Sequence, residues 1–339
     1  MNTTEKSILK LFSKLDRASQ ESLARQLNTQ IDHSKGYLSQ LLKQQEESKA
    51  VACPDCSSKN IISRGKVSGS RRFSCNDCNR TFSQTIGTVL YGIKKKEKWE
   101  HYLQCMEEGL SLRESAKRVG IGLQTAFNWR HKVLASLSEL GVEKFSGIVE
   151  SDETHIAYSQ KGERNLDRPA RRRGRDSVKG LSGKNNRVTV VVTTDRDKKE
   201  FVVAGRGGLT RNKIDKVLAN KIDKSATFCT DGSQSYLGYA KRNKLDHKRI
   251  ISYDKNRTLK NKAYHIQTAN NYHKQIRQWL KPFNGVATKY LQNYLNWLAV
   301  QEELRNSQSR IKQWACWLVG STGAYEYFNN LIQGANTIS

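Results

Sequence analysis

The chain has 339 residues, and its 59 Lys and Arg against 32 Asp and Glu give a formal net charge of +27. That length accommodates one large domain with smaller modules beside it, and a field that strong implies a polyanionic partner, most simply nucleic acid. An anionic membrane surface is set aside because the sequence has neither a long apolar span nor a basic amphipathic anchor. The opening MNTTEKSILKLF lacks a signal-peptide apolar stretch, so a cytoplasmic location is expected. Four of the seven cysteines are paired as CxxC; Cys105, Cys229 and Cys316 stand alone and are expected to be buried thiols in a reducing compartment. Three prolines, no low-complexity linker and no internal repeat suggest modules that abut.

Residues 1–50 place Ile8, Leu11, Phe12 and Leu15, then Leu38, Leu41 and Leu42, at helical spacing, which predicts a small helical leader. Residues 51–86 follow as a zinc ribbon. Cys53, Cys56, Cys75 and Cys78 form two CxxC knuckles separated by 18 residues. Each knuckle aims two thiolates at one point, and two knuckles complete a tetrahedral zinc site. With four protein ligands such a Zn²⁺ is structural, because no position is left for water. The β-type residues Ile61, Ile62, Val67 and Phe73 around Gly65 and Gly69 suit a hairpin, and Arg64, Lys66, Arg71, Arg72 and Arg80 suit phosphate contact.

Residues 87–143 read as a helix-turn-helix region. Leu103, Met106 and Leu110 share one helix face; Ser111 and Glu114 have the spacing of a capping box; Gly120 to Gly122 gives a tight turn. On the helix that follows, Ala126, Phe127 and Val133 are expected to pack inward, leaving Gln124, Thr125, Asn128, Arg130 and Lys132 to face DNA. An ordinary three-helix packing unit is the alternative that this segment leaves open.

From residue 144 to 302 the texture is α/β. GIVESDETHIAY, NRVTVVVTTD and KEFVVAGRG read as three strands, with a helix over Asn212–Lys221. ATFCTDG is a fourth strand ending at Asp231, QSYLGYAKRN a short helix and HKRIIS a fifth strand. The order βββαβαβ with a long final helix is that of an RNase H-like domain, a mixed sheet flanked by helices. Between the first two strands a segment holds nine cations, Lys161, Arg164, Arg168, Arg171, Arg172, Arg173, Arg175, Lys179 and Lys184, against three acids. Such a loop is expected to order on a phosphate backbone.

Asp152 and Asp231 fall on strands that are neighbours in such a sheet, where they could share a cation. Hard oxygen ligands suit Mg²⁺ or Mn²⁺, and phosphoryl chemistry on DNA uses two such ions. Between Asp254 and Glu302 there is no acid, so a third ligand from the last helix has to be neutral; Asn270, with an amide oxygen, is the candidate. Arg277 lies seven residues on, on nearly the same helix face, where it could hold a phosphate, while Tyr272, Ile276 and Trp279 form the core-facing stripe.

In CPDC…CNDC, VESDET, CTDGSQSY and HIQTANNYHKQIRQWLKPFNGVATKYLQNYL the chain resembles the ISXO-like group of bacterial insertion-sequence transposases, from about Cys53 to Glu302. The resemblance implies a multidomain transposase with DNA cleavage and strand transfer at element ends. Asp152, Asp231 and Asn270 then form the metal-holding triad, and the partners are the terminal inverted repeats and target DNA. That group usually has Lys at the final basic position, so Arg277 is a departure that keeps the charge but not the point contact. Joining two ends implies a homo-oligomer. A regulator that binds DNA without catalysis is the alternative, and it would have no need of the triad. Residues 303–339, with Trp314 and Trp317, lie beyond the resemblance and are expected to be a helical tail for packing or self-association.

Overall fold

The computed structural model describes residues 52–67, 70–83, 85–138, 140–166, 186–250, 263–307, 310–321 and 323–333, and a few positions of the first fifty. The expected helical leader falls almost wholly outside the described residues, as do Arg168, Arg171, Arg172, Arg173, Arg175, Lys179 and Lys184 of the basic segment. Contacts divide the chain into two compact units: residues 1–109 with 307–320, and residues 110–306 with 321–339. Among the described residues no helix is long and apolar enough to cross a membrane.

The first unit contains a three-stranded antiparallel sheet, β1 (Ile61–Val67), β2 (Ser70–Cys75) and β3 (Thr81–Ser83), in the order β1-β2-β3. Phe73 and Phe82 stack at 5.7 Å between ring centroids and form its small core with Cys53 and Cys75. Ile62 and Val67 are exposed, so the apolar residues expected of the hairpin do not all turn inward. Helix α1 (Trp99–Glu107) buries Trp99, Tyr102, Leu103, Cys105 and Met106. A later helix of the same unit, Arg310–Gly320, buries Trp314, Ala315 and Leu318 and pairs Arg310 with Glu107 at 3.6 Å. The first tail tryptophan therefore has a packing role. Cys316, on that helix, is exposed, against the expectation that all three lone thiols would be buried; it lies one residue past the buried Ala315, on the other side of the helix.

The second unit opens with α2 (Leu112–Val119) and α3 (Leu123–Ala135). Ser111 caps α2 as expected: its hydroxyl accepts from the Glu114 amide, and the Glu114 carboxylate accepts from the Ser111 amide. Gly120, at φ +67°, ends the helix in the left-handed region. Helix α3 departs from the expected arrangement. Arg130 is fully buried, its Nη2 donating to the Leu110 carbonyl at 2.6 Å, with its guanidinium 5.7 and 5.1 Å from the ring centroids of Phe283 and Trp297. It sits four residues after Ala126 and three before Val133, hence on the packed face and not on the DNA-facing one assigned to it. Lys132 is likewise turned inward, 5.7 and 5.5 Å from the rings of Tyr325 and Phe328, and burial lowers its pKa. Gln124 stays exposed, with Thr125 and Asn128 half-buried, and Gln124 donates to the Asn128 side chain at 3.0 Å.

The rest of the unit is a five-stranded mixed sheet. Strands β4 (Ile148–Ala157), β5 (Arg187–Thr194), β6 (Lys199–Arg206), β7 (Thr227–Thr230) and β8 (Asp246–Arg249) run in the order β6-β5-β4-β7-β8. The β4–β5 and β5–β6 pairs are antiparallel; the β4–β7 and β7–β8 pairs are parallel. Helix α4 (Arg211–Val217) is shorter than expected, and α5 (Gln234–Asn243) follows β7. The period of two along β5 supplies both faces. Val191 packs with Phe228, Tyr236, Tyr239, Ile214 and Val217 on the α4/α5 side. Val188, Val190 and Val192 pack on the other side against Ala269 and Ile276 of α6 (Gln267–Leu280) and Leu291, Leu295 and Leu298 of α7 (Leu291–Glu303). The last helix, α9 (Ala324–Gln333), packs on α3, so we number Arg310–Gly320 α8.

Candidate active site

The acids gather where the central parallel pair of strands comes apart. β4 pairs with β7 only from Ile148–Glu150 against Thr227–Cys229. Asp152 lies just beyond that pairing, and Asp231 lies one residue past the end of β7. Asp231 thus stands at the carboxyl end of a parallel strand, where open α/β sheets bind ligands, while Asp152 lies within β4 beside it. One carboxylate oxygen each from Asp152, Glu153 and Asp231 lies within 4.8 Å of the others. The two expected aspartates are thus brought together, and Glu153 joins them.

Local backbone chemistry sets each side chain. Asp231 Oδ1 accepts the Ser233 amide at 2.9 Å, closing the turn that launches α5. Gly232 makes the turn possible: its φ is +85°, and a side chain there would run into Arg249. Asp152 Oδ1 accepts the Glu153 amide at 2.9 Å. Burial, and after it the Asp231 charge, pushes the Asp152 carboxyl up to about 7; burial and Asp231 raise Glu153 as well. Asp231 itself is exposed, so the cluster opens to solvent. Three hard carboxylates at this separation are a donor set that fits Mg²⁺ or Mn²⁺.

Glu150, two residues before Asp152 and so on the same face of β4, holds the neighbouring helix in place. It is buried, and its carboxylate accepts the Thr268 amide (2.9 Å), the Thr268 hydroxyl (2.8 Å) and the Ala269 amide (3.3 Å), with His265 Nδ1 3.2 Å away. These amides belong to the first turn of α6, whose N-cap residue, Ile266, has no side-chain oxygen to offer. The carboxylate also complements the positive end of the helix. At the other end of the contact, Arg277 Nη2 donates to Thr154 Oγ1 at 2.8 Å. With Glu150 and Thr154 both joined to α6, the helix runs along β4 past Asp152. Asn270 follows Ala269 directly and, like Arg277, reaches solvent. His273, between them, is buried; burial and Arg277 bring its pKa down to about 4.

The four ribbon cysteines also converge, with their Sγ atoms within 4.8 Å of one another and all free thiols. Cys53 and Cys78 lie 3.6 Å apart, and Cys56 and Cys75 3.5 Å. A tetrahedron with Zn–S bonds of about 2.3 Å has edges of roughly 3.8 Å, so the set fits zinc. The two knuckles are alike: Ser57 and Asn79, each just after a second cysteine, both have φ of 58°. Each knuckle is tied to the other half of the ribbon, Asp77 accepting from Ser58 and Asn60, and Asp55 pairing with Arg80. Backbone hydrogen bonds from Cys78 and Asp77 outweigh burial and bring the Cys75 thiol down to about 7.

At the start of the basic segment, Lys161 Nζ donates to the carbonyls of Asn284 and Gly285 at 3.0 and 2.9 Å. It anchors a turn of the protein and is not held out toward a phosphate.

Residues 144–302 match the family profile described as the ISXO2-like transposase domain. Over 266 residues the chain is 26% identical to an uncharacterized protein in transposable element ISH50 of Halobacterium salinarum, covering 78% of this chain and 89% of that one. Among solved structures, a pre-cleavage Mos1 transpososome (14% identity, 67% of this chain, 79% of that chain) gives a TM-score of 0.21. The Mos1 strand transfer complex (14% identity, 67% and 78%) gives 0.22. Superpositions that loose support no inference. Residues 144–302, with Asp152 and Asp231 inside them, are thus similar to the ISXO2-like transposase domain, and the profile match and the ISH50 relative together support an insertion-sequence transposase.

Proposed function

We propose that the chain cleaves DNA strands at the ends of an insertion sequence and transfers them to target DNA, using an RNase H-like domain that depends on Mg²⁺ or Mn²⁺. The observation that carries this reading is the convergence of Asp152, Glu153 and Asp231 where β4 and β7 part, within residues similar to a transposase domain. Support for the RNase H-like assignment comes from the order β6-β5-β4-β7-β8, with antiparallel pairs on one side of β4 and parallel pairs on the other.

Asp152, Asp231 and, from α6, Asn270 would hold the divalent ions. Bound there, such ions supply activation of the attacking oxygen and stabilisation of the leaving oxygen. The chain's own contributions are positional. Glu150 fixes the start of α6, so that Asn270 stands at a set height along β4. Arg277, held by Thr154, offers a cation to a phosphate on the exposed side of α6. The absence of acids between Asp254 and Glu302 leaves that face free of repulsion toward DNA. Cys53, Cys56, Cys75 and Cys78 would hold a structural Zn²⁺ that organises the ribbon. On α3 the residues still available to contact DNA are Gln124, Thr125 and Asn128; the basic run from Arg171 to Arg175 would add phosphate contacts. Two element ends have to be brought together, so the working form is a homo-oligomer on double-stranded DNA.

The test uses duplexes ending in the element's own terminal repeats, incubated with the full chain, target DNA and Mg²⁺ or Mn²⁺. Joined products are expected, and Asn270→Ala should reduce them by about 10²-fold, the scale on which a metal site responds to a lost partner. Cut ends that are never joined would make the chain a nuclease and overturn the strand-transfer reading.

A further inference from the structure

Successive residues of a strand point to opposite faces, so Asp152 and Glu153 should not share a ligand. Their oxygens nevertheless come within 4.8 Å of each other and of Asp231. The sheet explains how. β4 is joined to β7 only through Glu150, and β7 ends at Thr230, so neither strand continues the pairing at residues 152 and 153. Side chains from both faces can then turn around the same edge, and Asp152 does so, its Oδ1 folded back onto the Glu153 amide.

At this edge Glu153 faces the hydroxyl of Tyr236, a fully buried side chain of α5 that lies close enough to interact with it. The buried Glu153 Oε2 meets no partner in good hydrogen-bond geometry. A cation answers a carboxylate oxygen left open beside two further acids, which the Tyr236 hydroxyl cannot neutralise. Glu150, the other acid of the strand, is fully engaged by α6 and has no such freedom.

We propose that Glu153 is a metal-holding carboxylate of this centre. It supplies the third negative charge, which Asn270, a neutral amide, cannot. The acid that the last helix lacks then comes from the residue next to the first aspartate. The inference rests on the reading that Asp152 and Asp231 hold divalent ions.

The test is a Mn²⁺ titration of the purified, zinc-loaded full chain, with free Mn²⁺ followed by electron paramagnetic resonance. Glu153→Gln should weaken Mn²⁺ binding by at least about tenfold, more than Asn270→Ala does, as expected when a charged oxygen ligand is neutralised. Glu153→Asp, which keeps the charge, should recover part of the loss. Gln preserves volume at a half-buried position, and zinc content with thermal melting checks that the fold is kept. If Glu153→Gln binds Mn²⁺ like the wild type while Asp152→Asn does not, the Glu153 assignment falls and the wider reading stands. If Asp152→Asn also binds like the wild type, the metal site itself is misplaced.

Discussion

Arg130 and His131 are adjacent in sequence and both lie inside the second unit. A cation on a helix in a +27 chain invites a DNA-contacting role, yet the period of 3.6 puts Arg130 between Ala126 and Val133. That signal was present in the sequence and outweighs residue type. His131 packs at 4.1 Å on Tyr290 and 4.5 Å on Phe127, between ring centroids. Burial, with the Arg130 and Lys289 charges, brings its pKa down to about 3. A group with a depressed folded pKa binds fewer protons than the unfolded chain, so its stabilising contribution is present above about 6.5 and is lost as pH falls toward 3. Between pH 6.5 and 5 this amounts to about 2 kcal/mol for one such group. Urea unfolding of the wild type against His131→Phe should show that difference narrowing by about this amount. Parallel pH curves for the two proteins would contradict it. The comparison is needed because Asp152, with a raised pKa, works in the opposite direction between about 4 and 7.

At the scale of elements, the sheet and its flanking helices were legible because each strand has a clean apolar core and each turn its own signal. Val188–Val192 and Phe201–Ala204 fall inside β5 and β6, and Gly232 marks the turn after β7. The α2–α3 pair was legible as two helices and a turn, but not which side of α3 would be covered, since α7 and α9 come from distant parts of the chain. Strand order together with the resemblance put Asp152 and Asp231 on neighbouring strands, and the structure brings their carboxylates together. Glu153 was missed because alternation assigns it to the wrong face, and only the early end of the β4–β7 pairing reverses that. Glu150 had a subtler signal: α6 begins at Ile266-Gln267 with no Ser, Thr, Asp or Asn at its cap, so a cap had to come from elsewhere. Removing it in Glu150→Ala leaves the Thr268 and Ala269 amides without their acceptor and should cost about 2 kcal/mol. Faster hydrogen exchange at those two amides, with strand cleavage reduced and DNA affinity kept, is the expected outcome. Unchanged exchange would show that α6 is held by its Ala269 and Ile276 packing alone.

For the whole molecule, composition and site point the same way. A large positive charge favours a polyanion such as DNA whatever its sequence, and among the described residues of the second unit one cluster of three acids lies where β7 ends beside the middle of β4. The ribbon adds a second cluster, of four thiols. What separates a transposase from a regulator that only binds is therefore confined to a few carboxylates. The decisive measurement is nicking of a labelled duplex carrying the element's terminal repeats, in Mg²⁺, by the full chain and by its Asp152→Ala and Asp231→Ala variants. The wild type should nick at the element's end, and each variant should lose at least about 10³-fold in rate while binding the same DNA equally well. Variants that nick as fast as the wild type would place the chemistry elsewhere and contradict the assignment.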